Sequence, residues 1–145
     1  MSIVKLYQNY QQKRPISWGL DIFSLLVEFF PALVVIFSDG TFDQKEKLYL
    51  EKLIQNLGFY FEEEGFSAKK VAELQLSFSQ EFEFLGKNLE DWQDSFLDAL
   101  KIYLQKHPHK KALIKNTIAW FAQISIDVTE DEQNAMDFLG EKLEL

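Results

Sequence analysis

The chain has 145 residues, of which 47% are apolar and 15% aromatic, enough for one packed domain and too hydrophobic for a disordered chain. Its net charge of −8 disfavours nucleic acid as a partner. Because the chain has no cysteine, disulfides, cysteine-bound zinc and thiol catalysis are excluded, and histidine, carboxylate and carbonyl groups remain as metal ligands.

The first 17 residues form a polar segment that is basic and contains two tyrosines. We interpret residues 1–17 as an N-terminal arm that lies on the domain, with Tyr7 and Tyr10 as its anchors. The segment has no apolar run followed by small residues, so it does not resemble a secretory signal. The sequence therefore predicts a cytoplasmic protein.

An apolar stretch follows, from Ile22 to Phe37, and we predict that it is a buried helix with Ser17 as its N-cap. The stretch is shorter than the roughly 20 apolar residues that span a membrane, and Glu28 interrupts it. Pro31 cannot donate a backbone hydrogen bond, so the helix is expected to kink or restart there. The protein is not expected to span a membrane.

The next predicted helix begins at a capping box formed by Asp43 and Glu46. Its apolar residues recur at i, i+3, i+4 and i+7, which is typical of one buried helix face: Leu50, Leu53, Ile54 and Leu57. Gly58 is predicted to end this helix, and residues 59–66 to form a loop or a short turn.

Four further helix starts are marked along the rest of the chain, by Ser67, Asn88, Pro108 and the capping box of Thr129 with Glu132. The apolar stripe of the first of these helices contains Val71, Leu74, Phe78, Phe82 and Leu85. No segment alternates with the period of two that strands require. We therefore predict an all-α fold, a single compact helical bundle of about six or seven helices.

The chain also aligns with itself at an offset of 86 residues, which places Glu46 over Glu132 and Asp43 over Thr129. The predicted domain covers residues 18–145, and its internal two-fold repeat has copies at roughly 20–58 and 109–145. Each copy has an apolar helix, a polar loop, a capping box and an amphipathic helix. The two apolar helices are expected to form the centre of the bundle.

The repeated loop motif resembles that of the TerB-like tellurite-resistance domain family. The first copy reads Ser38-Asp39-Gly40-Thr41-Phe42-Asp43-Gln44-Lys45-Glu46, and the second reads Ser125-Ile126-Asp127-Val128-Thr129-Glu130-Asp131-Glu132. The resemblance implies a small all-α bundle that is not an enzyme. It also implies a stress-response role with protein partners, including membrane-associated complexes.

Acidic residues around these loops have been proposed to bind divalent cations in that family. The resemblance therefore implies a site for Ca²⁺ or another divalent cation at Asp39, Asp43, Glu46 and Glu132, although Ser125 and Thr129 replace carboxylates in the second copy. A purely structural interpretation of the first loop stays open: Gly40 supplies a positive-φ turn, Asp43 caps the helix and Glu46 closes the capping box.

Two other functions also stay open. One is a protein-interaction module that binds no metal, and the other is an enzyme that uses carboxylates in a cleft, although neither a nucleophile elbow nor a glycine-rich phosphate loop occurs. His107 and His109 are interpreted as exposed residues at a helix start. Three interpretations of the basic segment from Lys101 to Lys115 stay open: it is a solvated helix face, it faces an acidic surface of the same fold, or it binds an acidic partner.

Overall fold

The computed structural model describes residues 1–38, 40, 44–124 and 128–145, and residues 121–124 by their backbone alone. These residues form an all-α bundle, as predicted. Its seven helices are α1 (Ile3–Lys13), α2 (Leu20–Ile36), α3 (Gln44–Glu63), α4 (Ala68–Lys87), α5 (Leu89–Lys106), α6 (Lys110–Ile124) and α7 (Glu130–Lys142).

The central helix is α2, which packs against α1, α4, α5, α6 and α7. It is apolar on most faces, so few of its polar side chains are removed from water when neighbouring helices surround it. It is a single helix that continues through Pro31, and its first residue follows Gly19, so the predicted cap at Ser17 is wrong. No helix of the described residues combines the length and apolar character needed to cross a membrane.

The N-terminal arm is helical and is attached to the domain by both predicted tyrosines. Tyr10 is fully buried, and its hydroxyl donates to Oε1 of Glu81 at 2.7 Å. Arg14 binds the same carboxylate through Nε at 3.0 Å and Nη2 at 2.8 Å. The hydroxyl of Tyr7 donates to the backbone oxygen of Trp18. The arm is thus joined to α4 by a partly buried, charge-assisted network.

The prediction that Gly58 ends α3 is wrong, because the helix continues to Glu63 and includes most of the predicted loop. A Cβ at Gly58 would lie 2.4 Å from Nε2 of Gln75, so this glycine permits close contact with α4. Phe61 is buried in the added turn and packs on the ring of Phe78 at 6.0 Å. These tertiary contacts outweigh the roughly 1 kcal/mol that glycine costs inside a helix.

The later helices follow their predicted patterns closely. All five stripe residues of α4 are buried, and the Ser67 side chain accepts from the backbone N–H of Lys70. The helix after Pro108 begins at Lys110, and Thr129 with Glu132 forms the predicted capping box of α7. Asn88 precedes α5, but its side-chain amide donates back to the oxygen of Phe84 and does not cap that helix.

The expectation of two central apolar helices is confirmed for α2. In α6, within residues 110–120, Ile114 and Ile118 are buried while Leu113 is half exposed. The amphipathic helices also have different main neighbours, because α3 packs chiefly against α4 and α7 packs against α2. The internal repeat stays a prediction from the sequence.

Candidate functional site

Two predicted ligand residues, Glu46 and Glu132, lie at the starts of α3 and α7, and both are fully buried. At Glu132, local hydrogen bonds explain how a carboxylate can be buried at the start of a helix. Its backbone N–H donates to Oγ1 of Thr129 at 3.1 Å, and its Oε1 accepts from the backbone N–H of Thr129 at 2.8 Å. A helix N-terminus favours negative charge, so this capping box helps to hold a carboxylate out of water.

Glu132 has a charged partner in Lys45, a residue that sequence analysis missed. Nζ of Lys45 donates to Oε1 of Glu132 at 2.8 Å, and the lysine side chain is 23% exposed. This ion pair connects α3 to α7 across 87 residues of sequence. The other oxygen of Glu132, Oε2, is buried and accepts no hydrogen bond from the described residues. We call Lys45, Glu46 and Glu132 the acidic junction.

One signal in the sequence points to Lys45. It lies in the first turn of α3, where the positive helix end disfavours a cation unless an anion is close. The sequence could supply that reason to look for a partner, but it could not identify Glu132 as that partner.

The remaining predicted ligands, Asp39 and Asp43, lie outside the described residues, so the structure neither joins them to Glu46 nor separates them from it. Gly40 has a φ of +74°, as the structural interpretation of the loop predicts. Within the described ranges, no group of three or more histidine or carboxylate residues is arranged to hold a metal ion.

Another buried carboxylate, Glu28, lies midway along α2 and is 6% exposed. Oε1 of Glu28 is 3.6 Å from Nζ of Lys110, at the start of α6. Burial, reinforced by the negative charge of Glu28, raises the pKa of Tyr103 to about 12. His107 and His109 are exposed, as predicted, and the His107 ring lies 4.6 Å from that of Tyr103.

Two lysines of the basic segment lie close to carboxylates of the same fold. Lys110 pairs with Glu28, and Nζ of Lys101 lies 4.0 Å from a carboxylate oxygen of Glu144. Lys106 and Lys115 are exposed. The segment therefore faces acidic groups of its own fold at two of its lysines.

An apolar groove of about 470 Å³ lies between α3 and α4, at the end of α2. Its apolar residues are Phe37, Leu50 and Ile54, and its charged residues are Lys47, Glu51, Glu83 and Lys87. A Cβ at Gly86 would lie 2.3 Å from Cζ of Phe37, so glycine at this position lets the Phe37 ring pack against α4. We call this feature the α3–α4 groove. Sequence analysis missed it because it depends on how two separate helices pack.

Comparison with known proteins assigns no family to the chain. No protein-family model, no curated protein and no solved structure matches it.

Proposed function

We propose that this chain is a non-enzymatic protein-interaction module of the TerB-like kind. The observation that carries the proposal is the α3–α4 groove, an open apolar surface with charged residues along its walls. An apolar groove between helices is one recurring way in which proteins bind an amphipathic segment of a partner. The repeated loop motif supports the TerB-like assignment, and with it a cytoplasmic role in a stress-response or tellurite-resistance system, including membrane-associated complexes.

In this proposal the acidic junction is structural and needs no metal. The ammonium group of Lys45 lies where a bound cation would neutralise Glu132, and two helix N-termini add positive potential. Removing one partner of a buried ion pair is costly, and in this proposal the role of Lys45 is to keep Glu132 paired. A metal-free junction is also consistent with the loss of carboxylates at Ser125 and Thr129.

Divalent cation binding at the junction is the second candidate function. It is favoured by Oε2 of Glu132, a buried carboxylate oxygen that accepts no hydrogen bond from the described residues. Calcium, magnesium and manganese prefer oxygen ligands, and the resemblance adds Asp39 and Asp43 to Glu46 and Glu132.

Photo-crosslinking in cells tests the interaction function. A photoreactive phenylalanine analogue replaces Ser79, which is exposed in the groove wall, and a matched control carries it in place of Lys13, exposed on α1. We expect discrete crosslinked proteins from position 79 that are missing from position 13. No specific adduct from position 79 would contradict the proposed function.

Thermal unfolding with and without millimolar calcium, magnesium or manganese separates the two candidate roles of the junction. A metal-free junction leaves the unfolding temperature unchanged, whereas a cation site raises it, because a ligand that binds only the folded state stabilises that state. Amide shifts confined to the starts of α3 and α7 during a calcium titration would favour the second candidate.

A further inference from the structure

The α3–α4 groove has a charge pattern that restricts what it can bind. Four residues connect α3 to α4, so these packed helices run antiparallel as a hairpin. Gly58 faces Gln75, and the backbone oxygen of Ile54 accepts from Nε2 of Gln75 at 3.1 Å. This pairing fixes which residues of the two helices lie at the same level.

Because the two helices are antiparallel, residues equally far from Gly58 and from Gln75 lie at the same height along the groove. Charged residues of the two walls with the same sign share such heights. Glu51 of α3 lies level with Glu83 of α4, to within about one residue, and Lys47 lies level with Lys87. The two levels are four residues apart on each helix, which is about 6 Å along the axis. The groove is therefore positive at the end near Phe37 and negative about one turn further along.

Apolar surface lies between and beyond these charges. Leu50 and Ile54 line the groove, and Leu76 lies on the same face of α4 as Ser79 and Glu83, at spacings of three and seven residues. Leu76 is 62% exposed, so it extends the apolar surface toward the tip of the hairpin.

The ion pair already present in the wall does not block this surface. Nζ of Lys87 is 2.8 Å from a carboxylate oxygen of Glu83, and the two side chains are 72% and 68% exposed. Exposed pairs on one helix contribute little stability, so both groups can change partners when a ligand arrives.

We propose that the α3–α4 groove binds an amphipathic helix of a partner protein, with one acidic and one basic residue four positions apart beside its apolar face. The acidic residue lies between Lys47 and Lys87, and the basic residue lies between Glu51 and Glu83. A helix fits this pattern because residues four apart on its surface are neighbours, matching the separation of the two charge levels. Its apolar residues at i, i+3, i+4 and i+7 fill the groove.

This inference rests on the proposed interaction function, and designed helical peptides test it separately. The peptides share a leucine stripe at i, i+3, i+4 and i+7 and differ only in the flanking pair, which is Glu with Lys in one and Lys with Lys in the other. Fluorescence anisotropy measures their binding to the full chain, to the Lys47→Glu/Lys87→Glu variant and to a Lys5→Glu/Lys13→Glu variant. The last variant changes net charge equally at two exposed residues of α1.

The Glu/Lys peptide is expected to bind the unmodified chain and the α1 variant equally, and to bind the groove variant about tenfold more weakly. The Lys/Lys peptide is expected to gain affinity for the groove variant, because all four wall charges are then negative. Circular dichroism of each variant establishes that it is folded. Misfolding of the variant would lower its affinity for both peptides, so it cannot produce a reversal of which peptide binds more tightly.

Two results would overturn the inference. One is no binding of the Glu/Lys peptide at millimolar concentration, and the other is equal binding to all three proteins. If either result is obtained while position 79 still crosslinks to partner proteins, the interaction function stands and only the helical ligand is rejected. Sedimentation that shows a dimer broken by Lys47→Glu/Lys87→Glu would instead assign the groove to a second copy of the chain.

Discussion

Single residues determine how closely the helices approach, and two helical glycines differ sharply in this respect. A Cβ at Gly86 would lie 2.3 Å from the ring of Phe37, whereas a Cβ at Gly140 would meet none of the described atoms within 4 Å. Gly140→Ala is therefore expected to raise the free energy of unfolding by up to about 1 kcal/mol through helix propensity. Gly86→Ala is expected to lower it by about 1–3 kcal/mol through overpacking.

Urea unfolding monitored by circular dichroism measures both changes. Gly140→Ala serves as the matched control, because it adds the same methyl group to a helix without a contact. Equal stabilisation by the two substitutions would show that the Phe37 ring moves aside at no cost.

Residue-level prediction from sequence succeeds where the partners are close in the chain. Thr129 and Glu132 are three residues apart, so their capping box follows from spacing alone. The contact between Lys45 and Glu132 joins residues 87 apart and depends on how α7 packs. Half of the predicted site, Asp39 and Asp43, lies outside the described residues.

Elements were predictable to the extent that their hydrophobic faces have a regular period. The stripe of α4 is buried as its spacing predicts, because a single apolar face has only one favourable side to bury. The end of α3 was not predictable, because Gln75 and Phe78, which hold its last turns, lie on the next helix. The low helix propensity of glycine is a weak effect, and tertiary contacts override it at Gly58.

The attachment of α1 to α4 gives a prediction at this scale. Arg14→Met keeps an apolar side chain near the ring of Phe84, which the guanidinium carbon approaches to 4.5 Å, but leaves Glu81 without its cation. Because Glu81 is 4% exposed, we expect a loss of about 2–3 kcal/mol in the free energy of unfolding.

Lys13→Met is the control on the same helix, since Lys13 is exposed and its loss should change stability by less than about 0.5 kcal/mol. Hydrogen exchange measured by mass spectrometry should show faster exchange in α1 for Arg14→Met alone. Similar exchange in the two variants would mean that the aromatic contacts of Tyr10 hold the arm without the ion pair.

The whole molecule should lose stability in alkaline solution through its buried tyrosines. Burial raises the pKa of Tyr10 and of Tyr49 above the usual range, with Glu81 adding to the effect at Tyr10, and the pKa of Tyr103 rises to about 12. Below a pH of about 10, both the folded and the unfolded chain keep these protons. Above it the unfolded chain ionises first, so the free energy of unfolding falls as pH rises toward 12 and beyond.

Near-ultraviolet absorbance of tyrosinate follows this ionisation, and circular dichroism follows unfolding in the same samples. We expect Tyr103→Phe to remove one ionisation step near pH 12, while the ionisation of Tyr10 and Tyr49 coincides with unfolding. Ionisation of all five tyrosines near a pH of about 10 in a chain that stays folded would contradict the assigned burial.

The buried position of Tyr10 also bears on the order in which the chain folds during synthesis. Its ring contacts those of Trp92 and Phe96 at 5.0 and 5.7 Å, and its hydroxyl donates to Glu81. The ribosome adds about 5–20 residues per second, so the first helix waits roughly 5–20 s for these partners to be made. During that interval the apolar face of α1 is exposed and available to chaperones. The last helices, α6 and α7, then pack onto a core in which α1 is already in place.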